Sequence, residues 1–206
     1  MKLRRKIPMC LLLIVVLLSL SACGGKRPEA TTVCVEKGGK LKQILVDPAP
    51  EYSVEDLKEY AEESISAYLE ATEEGEIRLD SCEEQDGIVY MELSFGSSAD
   101  YSAFNSMDCF CGTLEEASAA GEIPMDTLLA PDGSAVDFSA LLTEHPDYHL
   151  LVLSEHTLVE TNTDILCATV QATITGERTA TIGDGDAGTS GYFPRRTDAP
   201  AWLIFE

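Results

Sequence analysis

An α+β fold with a mainly antiparallel sheet and its helices on one face is what this sequence predicts. Three observations predict it. β-rich segments come in pairs joined by Gly-Gly or Asp-Gly turns, one strongly amphipathic helical repeat separates the first pair from the second, and the order ββαββ is followed by short helices and a further run of strands. Consecutive strands joined by tight turns pair antiparallel, and helices grouped between them define the α+β class.

Thr32–Glu36 and Leu41–Val46 are rich in β-branched and aliphatic residues, and Lys37-Gly38-Gly39-Lys40 between them has the composition of a hairpin turn. Asp47-Pro48-Ala49-Pro50 ends the second strand. Ser53-Val54-Glu55-Asp56 has the form of a capping box. Val54, Leu57, Ala61, Ile65 and Tyr68 then recur at helical spacing, with Gly75 as the expected C-cap. Tyr60 and Tyr68 read as core or rim positions rather than a binding stripe. Ile77–Cys82 and Ile88–Phe95 flank Gln85-Asp86-Gly87, a second hairpin.

Ser97-Ser98-Ala99-Asp100 opens a short helix whose Tyr101 and Phe104 should face the core, and Cys109-Phe110-Cys111 has the pattern of a brief strand. Thr113-Leu114-Glu115-Glu116 caps another helix, ending at Gly121. Pro131-Asp132-Gly133 marks a turn, and Phe138–Leu142 a single helical turn. Leu150–Leu153, Ile165–Ile174 and Arg178–Ile182 are strand-like, with a turn at Gly176. Gly183–Gly191 is a Gly- and Asp-rich loop. Trp202–Phe205 is too apolar to be left loose and is expected to pair inside the sheet.

Ahead of this domain lie two shorter segments. Met1–Lys6 is basic, and the apolar run Met9–Leu20 is too short to span a bilayer as a helix, as in the core of a signal peptide. Leu20-Ser21-Ala22-Cys23 follows at once. This resembles the bacterial lipobox, which implies cleavage between Ala22 and Cys23 and a diacylglycerol on the Cys23 thiol; two acyl chains suffice for stable anchoring. The expected organisation is therefore a signal peptide over 1–22, a lipidated cysteine with a flexible tether over 23–31, and one α+β domain over 32–206. The implied location is the outer face of the cell membrane, with the membrane itself as a partner through Cys23.

The formal net charge is −22. The first 22 residues hold Lys2, Arg4, Arg5 and Lys6 and no acid, so the remainder is more acidic still. Such a field repels phosphate backbones and excludes nucleic acid as an expected partner. It also holds a tethered domain off an anionic membrane surface.

Seven cysteines are present. With Cys10 in the signal and Cys23 as the anchor, Cys34, Cys82, Cys109, Cys111 and Cys167 remain, an odd set in a chain too large to need a disulfide framework. Cys34, Cys82 and Cys167 sit in apolar-alternating stretches and read as small hydrophobes, with one or two bridges left open.

Chemistry has few candidates. His145 and His149 are four apart, but Pro146 between them argues for a turn, and the Glu of a zincin helix is missing. Cys109 and Cys111 would point to one face of a strand and could grip a soft metal, although two ligands do not complete a site. Asp184-Gly185-Asp186 superficially resembles a calcium loop without the remaining acids that such a loop requires. No Gly-x-Ser-x-Gly, Ser-x-x-Lys, phosphate loop or dinucleotide fingerprint occurs. Neither a cofactor nor a set of catalytic residues is therefore expected.

Over most of its length past the tether, the chain resembles a group of lipid-anchored proteins of Gram-positive gut bacteria. The resemblance rests on Gly38-Gly39, the acidic helix from Ser53, the run Ser97-Ser98-Ala99-Asp100-Tyr101-Ser102-Ala103-Phe104-Asn105, Gly112-Thr113-Leu114-Glu115-Glu116-Ala117, and the apolar C-terminus. It implies the address and the fold and adds no chemistry. The function expected from these readings is a non-catalytic module that binds a protein or small ligand at the cell surface. The alternatives are an envelope structural or assembly factor and a surface hydrolase.

Overall fold

The computed structural model describes residues 27–48, 51–183 and 195–206. Ala22, Cys23, Asp184 and Asp186, and with them the lipidation and calcium-loop readings, lie outside the described residues. Within them the chain is a sheet-dominated α+β fold.

The first hairpin joins β1 (Thr32–Val35) to β2 (Leu41–Asp47) through Gly38 and Gly39, both at positive φ. α1 (Val54–Ala71) starts as expected, with the Ser53 hydroxyl accepting from Asp56 N at 3.1 Å. It buries Leu57, Ala61 and Ile65. The cap at its other end is Thr72, not Gly75. Gly75 lies beyond the helix, where a Cβ would come within 2.8 Å of the Tyr68 ring, so it is the ring that requires a glycine there.

β3 (Ile77–Gln85) and β4 (Ile88–Phe95) form the second hairpin. Asp86 and Gly87, at φ 55° and 80°, supply the tight turn whose twist suits an antiparallel pair. α2 (Ser98–Asn105) is capped by Ser97 and turns into β5 (Cys109–Thr113) through Ser106 in the left-handed region. α3 (Leu114–Ala120) opens on a reciprocal Thr113–Glu116 capping box and closes on Gly121.

β6 (Leu128–Leu129) and β7 (Ala135–Val136) flank the Pro131 turn, and α4 runs over Phe138–Glu144. β8 (His149–Glu155), β9 (Thr157–Glu160), β10 (Ile165–Ala168), β11 (Ala172–Gly176), β12 (Thr179–Ile182) and β13 (Arg196–Phe205) complete the order.

Two sheets result. The seven-stranded sheet runs β11-β12-β9-β1-β2-β4-β3, and the six-stranded sheet β5-β8-β13-β10-β6-β7. Every described pairing is antiparallel except β1 with β9, which sets Thr32 beside Leu158. The expected single strand Ile165–Ile174 is two: β10 belongs to the six-stranded sheet and β11 to the seven-stranded one. The break falls at Thr169–Gln171, where Ala172 N returns to the Thr169 carbonyl and Val170 stands exposed at the corner. β13 does pair inside its sheet, between β8 and β10, and its register shifts between Arg196 and Ala201, where Pro200 has no N–H to give.

The main apolar cluster draws on both sheets, with Val33, Leu41 and Leu93 from one and Leu151, Leu153, Leu203 and Phe205 from the other, and takes Leu57, Ala61 and Ile65 of α1 and Tyr101 of α2. Alternate residues of β8 and β13 (Leu150, Val152, Trp202 and Ile204) pack with Leu114 and Ala117 of α3 and the apolar side chains of α4 in a second cluster. α1 and α2 thus join one cluster and α3 and α4 the other, and β8 and β13 of the six-stranded sheet contribute alternate residues to both. Both faces of that sheet are apolar, and each needs cover.

Candidate functional site

α1 packs against β3, at the end of its sheet, and α2 packs against β5 and β4. A cleft of about 810 Å³ remains between the two helices. Its floor is Leu45 of β2 with Met91 and Leu93 of β4, which project on one face by the two-residue period of a strand. One wall is α1, through Asp56, Leu57, Tyr60, Ala61, Ser64 and Tyr68, residues three or four apart along one stripe. The other is the last turn of α2, through Ala103, Phe104 and Asn105.

Tyr68 is anchored through both its ring and its hydroxyl. Its ring meets Phe104 edge-on at 5.9 Å, and its hydroxyl donates to Asp100 Oδ1 at 3.0 Å. The same carboxylate oxygen accepts from Glu76 N, and Asp100 Oδ2 accepts from the Ser97 hydroxyl. Burial and the Asp100 carboxylate hold the Tyr68 phenol above its ordinary pKa. At the rim, Tyr52 and Tyr60 are 62% and 59% exposed, large values for aromatic rings beside an apolar cavity. Asn105 Nδ2 is buried on the α2 side without a hydrogen-bond partner among the described residues.

A second polar arrangement lies in the core and involves Gln43, Tyr101 and Glu155, all three fully buried. The Tyr101 hydroxyl donates to Glu155 Oε2. Gln43 Nε2 donates to the Tyr101 hydroxyl at 2.9 Å and to Glu155 Oε1 at 3.3 Å. The three residues come from β2, α2 and β8, so the triad ties the two sheets together through the helix that walls the cleft. Burial pushes the Glu155 carboxyl up to about 7, against the opposing pull of the bonds from Tyr101 and Gln43.

Cys109 and Cys111 take the same face of β5, opposite Leu153 and Leu151. Both are free thiols, as are Cys82 and Cys167. Burial pushes Cys109 well above its ordinary value, helped by the nearby Cys111 and Glu155, and pushes Cys111 up to about 12. Thiols held so firmly protonated are poor nucleophiles.

His145 caps the end of α4 and stacks on Tyr148 at 4.3 Å, while His149 starts β8 and stacks on Phe205. The Pro146 segment is a turn, with Tyr148 N bonded to the His145 carbonyl. No group of three His, Cys, Asp or Glu among the described residues is placed to hold a metal ion.

The cleft was only half visible in the sequence. Tyr60 and Tyr68 were legible as rim or core positions, but nothing local announced that α1 and α2 would stand apart over β2 and β4. The buried triad did leave a trace. Extending the alternation Leu41, Gln43, Leu45 and the alternation Leu151, Leu153, Glu155 places a polar residue at an inward position in each case. No protein-family model, curated protein or solved structure matches the chain.

Proposed function

We propose that this is a non-catalytic binding module, anchored by lipid on Cys23 to the outer face of the cell membrane, whose α1–α2 cleft takes an apolar ligand. The observation that carries the reading is the cleft itself. Its volume of about 810 Å³ falls within the range of small-molecule sites, and its floor of Leu45, Met91 and Leu93 is apolar. Its polar lining groups are few: Asp56, Ser64, Asn105 and the tyrosine hydroxyls. That distribution suits a ligand with an apolar body and one polar end. The lipobox, the short apolar segment before it and the resemblance to lipid-anchored proteins support the address.

The test uses protein carrying Cys23→Ala, so that no acyl chain competes, titrated with the neutral dye N-phenylnaphthylamine. Fluorescence should rise and saturate at one dye per chain. Ser64→Trp, which fills the cleft from α1, should abolish the rise while leaving the melting temperature within a few degrees. Dye binding unchanged by Ser64→Trp would place the apolar site elsewhere, and no binding at all would turn the reading to an envelope structural role.

A further inference from the structure

We infer that the cleft is selective for cations: its ligand carries an organic ammonium group on an apolar body. The inference rests on the cleft reading above and adds the charge of the ligand.

Among the described residues, three tyrosines, Tyr52, Tyr60 and Tyr68, line the cleft together with one carboxylate, Asp56, and no Lys, Arg or His does. An aromatic face carries negative charge density and attracts a cation laid over it, most strongly where water is excluded. Tyr52 and Tyr60 keep more than half their surface exposed at the rim, although tyrosine rings commonly bury their apolar bodies. Asp56 stands on the same rim. Its Oδ2 accepts from the Ser53 hydroxyl at 2.8 Å, and among the described residues its Oδ1 remains available.

The surroundings have the same sign. The outer face of α1 carries Glu55, Glu59, Glu62 and Glu63, and the helix's one base, Lys58, lies 3.8 Å from Glu62 and is paired with it. The chain as a whole stands at −22. An anionic amphiphile entering the cleft meets a carboxylate, π faces and an acidic field, all repulsive. A neutral one gains only the apolar contact. An alkylammonium gains that contact, the tyrosine faces and Asp56 together, and the field also speeds its encounter.

The experiment compares three ligands with one eight-carbon chain and different heads: octyltrimethylammonium, octyl glucoside and octanoate. Each displaces N-phenylnaphthylamine from the Cys23→Ala protein below its micelle concentration. The cation should bind about tenfold more tightly than the glucoside, and octanoate should be the weakest of the three. Tyr60→Leu and Asp56→Asn should each cut the cation's advantage over the glucoside to about threefold, whereas Tyr60→Phe, which keeps the ring, should retain it. Circular dichroism melts confirm that each variant is folded. Equal affinities for the three heads, or an advantage that survives Tyr60→Leu and Asp56→Asn together, overturn the cation inference and leave the apolar cleft standing. If the dye binds but none of the three displaces it at any concentration, the cation inference falls. If neither the dye nor any of the three binds, the cleft reading falls as well.

Discussion

Glu155→Gln is the sharpest probe of the buried triad. The carboxyl ionises near 4.5 in an open chain and is pushed up to about 7 in the fold. Between those values the folded chain holds a proton that the unfolded chain has released. Raising the pH through this window therefore favours unfolding. The stabilisation is complete below about 4.5 and is lost as pH rises through about 7. At about 1.4 kcal/mol for each pH unit the loss amounts to about 3 kcal/mol, or roughly 6–12 °C in melting temperature for a domain of this size. Glutamine has nearly the same shape, can still accept from Tyr101, and has no proton to lose.

Melting temperatures of the two proteins measured from pH 5 to pH 8 give the test. They should nearly coincide at pH 5, and the variant should be the more stable at pH 8. His145, His149 and His156 are common to both chains, so they largely drop out of the difference. Parallel curves across the window would refute the assignment of a protonated, buried Glu155. A variant that is less stable at every pH by a constant amount would show that the carboxylate form belongs to the fold and is well paired there.

Leu57→Asp places a charge on the buried stripe of α1 and should destabilise the domain by roughly 3–5 kcal/mol; an unchanged urea midpoint would mean that α1 packs by another face. Cys23→Ala should move the protein from the membrane to the soluble fraction of lysed cells, and full retention on membranes would sink the lipobox reading. Native protein at pH 8 should react with a thiol reagent at Cys167, fully buried and pushed up to about 12 by that burial, about a thousandfold more slowly than the same chain in urea. A fast phase at Cys167 would contradict its burial.

Much of the secondary structure was legible because its signals are local. Asp86-Gly87 needs positive φ at two successive residues, and few other pairs accept that conformation. The Ser53, Ser97 and Thr113 caps are each decided within a few residues. What stayed hidden depended on partners far along the chain. Ile165–Ile174 reads as one apolar run, and only the presence of two sheets makes it fold at Thr169–Gln171. β9 is four residues long and polar at its start, and it becomes a strand because β1 and β12 lie on either side of it. The split of the helices between two clusters was invisible for a related reason. Leu150 and Leu151 are equally apolar, so the sequence does not say which residue a helix covers and which the opposite sheet covers. The cleft is of the same kind, since it is a gap between packed elements and no residue type marks a gap.

The position of β13 governs when this protein can exist at all. Residues 196–205 occupy the middle of the six-stranded sheet, and β1, at the beginning of the domain, gains its parallel neighbour only when residues 158–160 have been made. A chain growing from its N-terminus can close its first two hairpins early, yet β8 and β10 then wait with their inner edges open. Contacts so distant along the chain make for slow folding, and unpaired strand edges are templates for aggregation in the interval. The six-stranded sheet can therefore close only once residues 196–205 have been made, and a chain arrested before residue 196 is left with two open edges where the centre of its sheet should be.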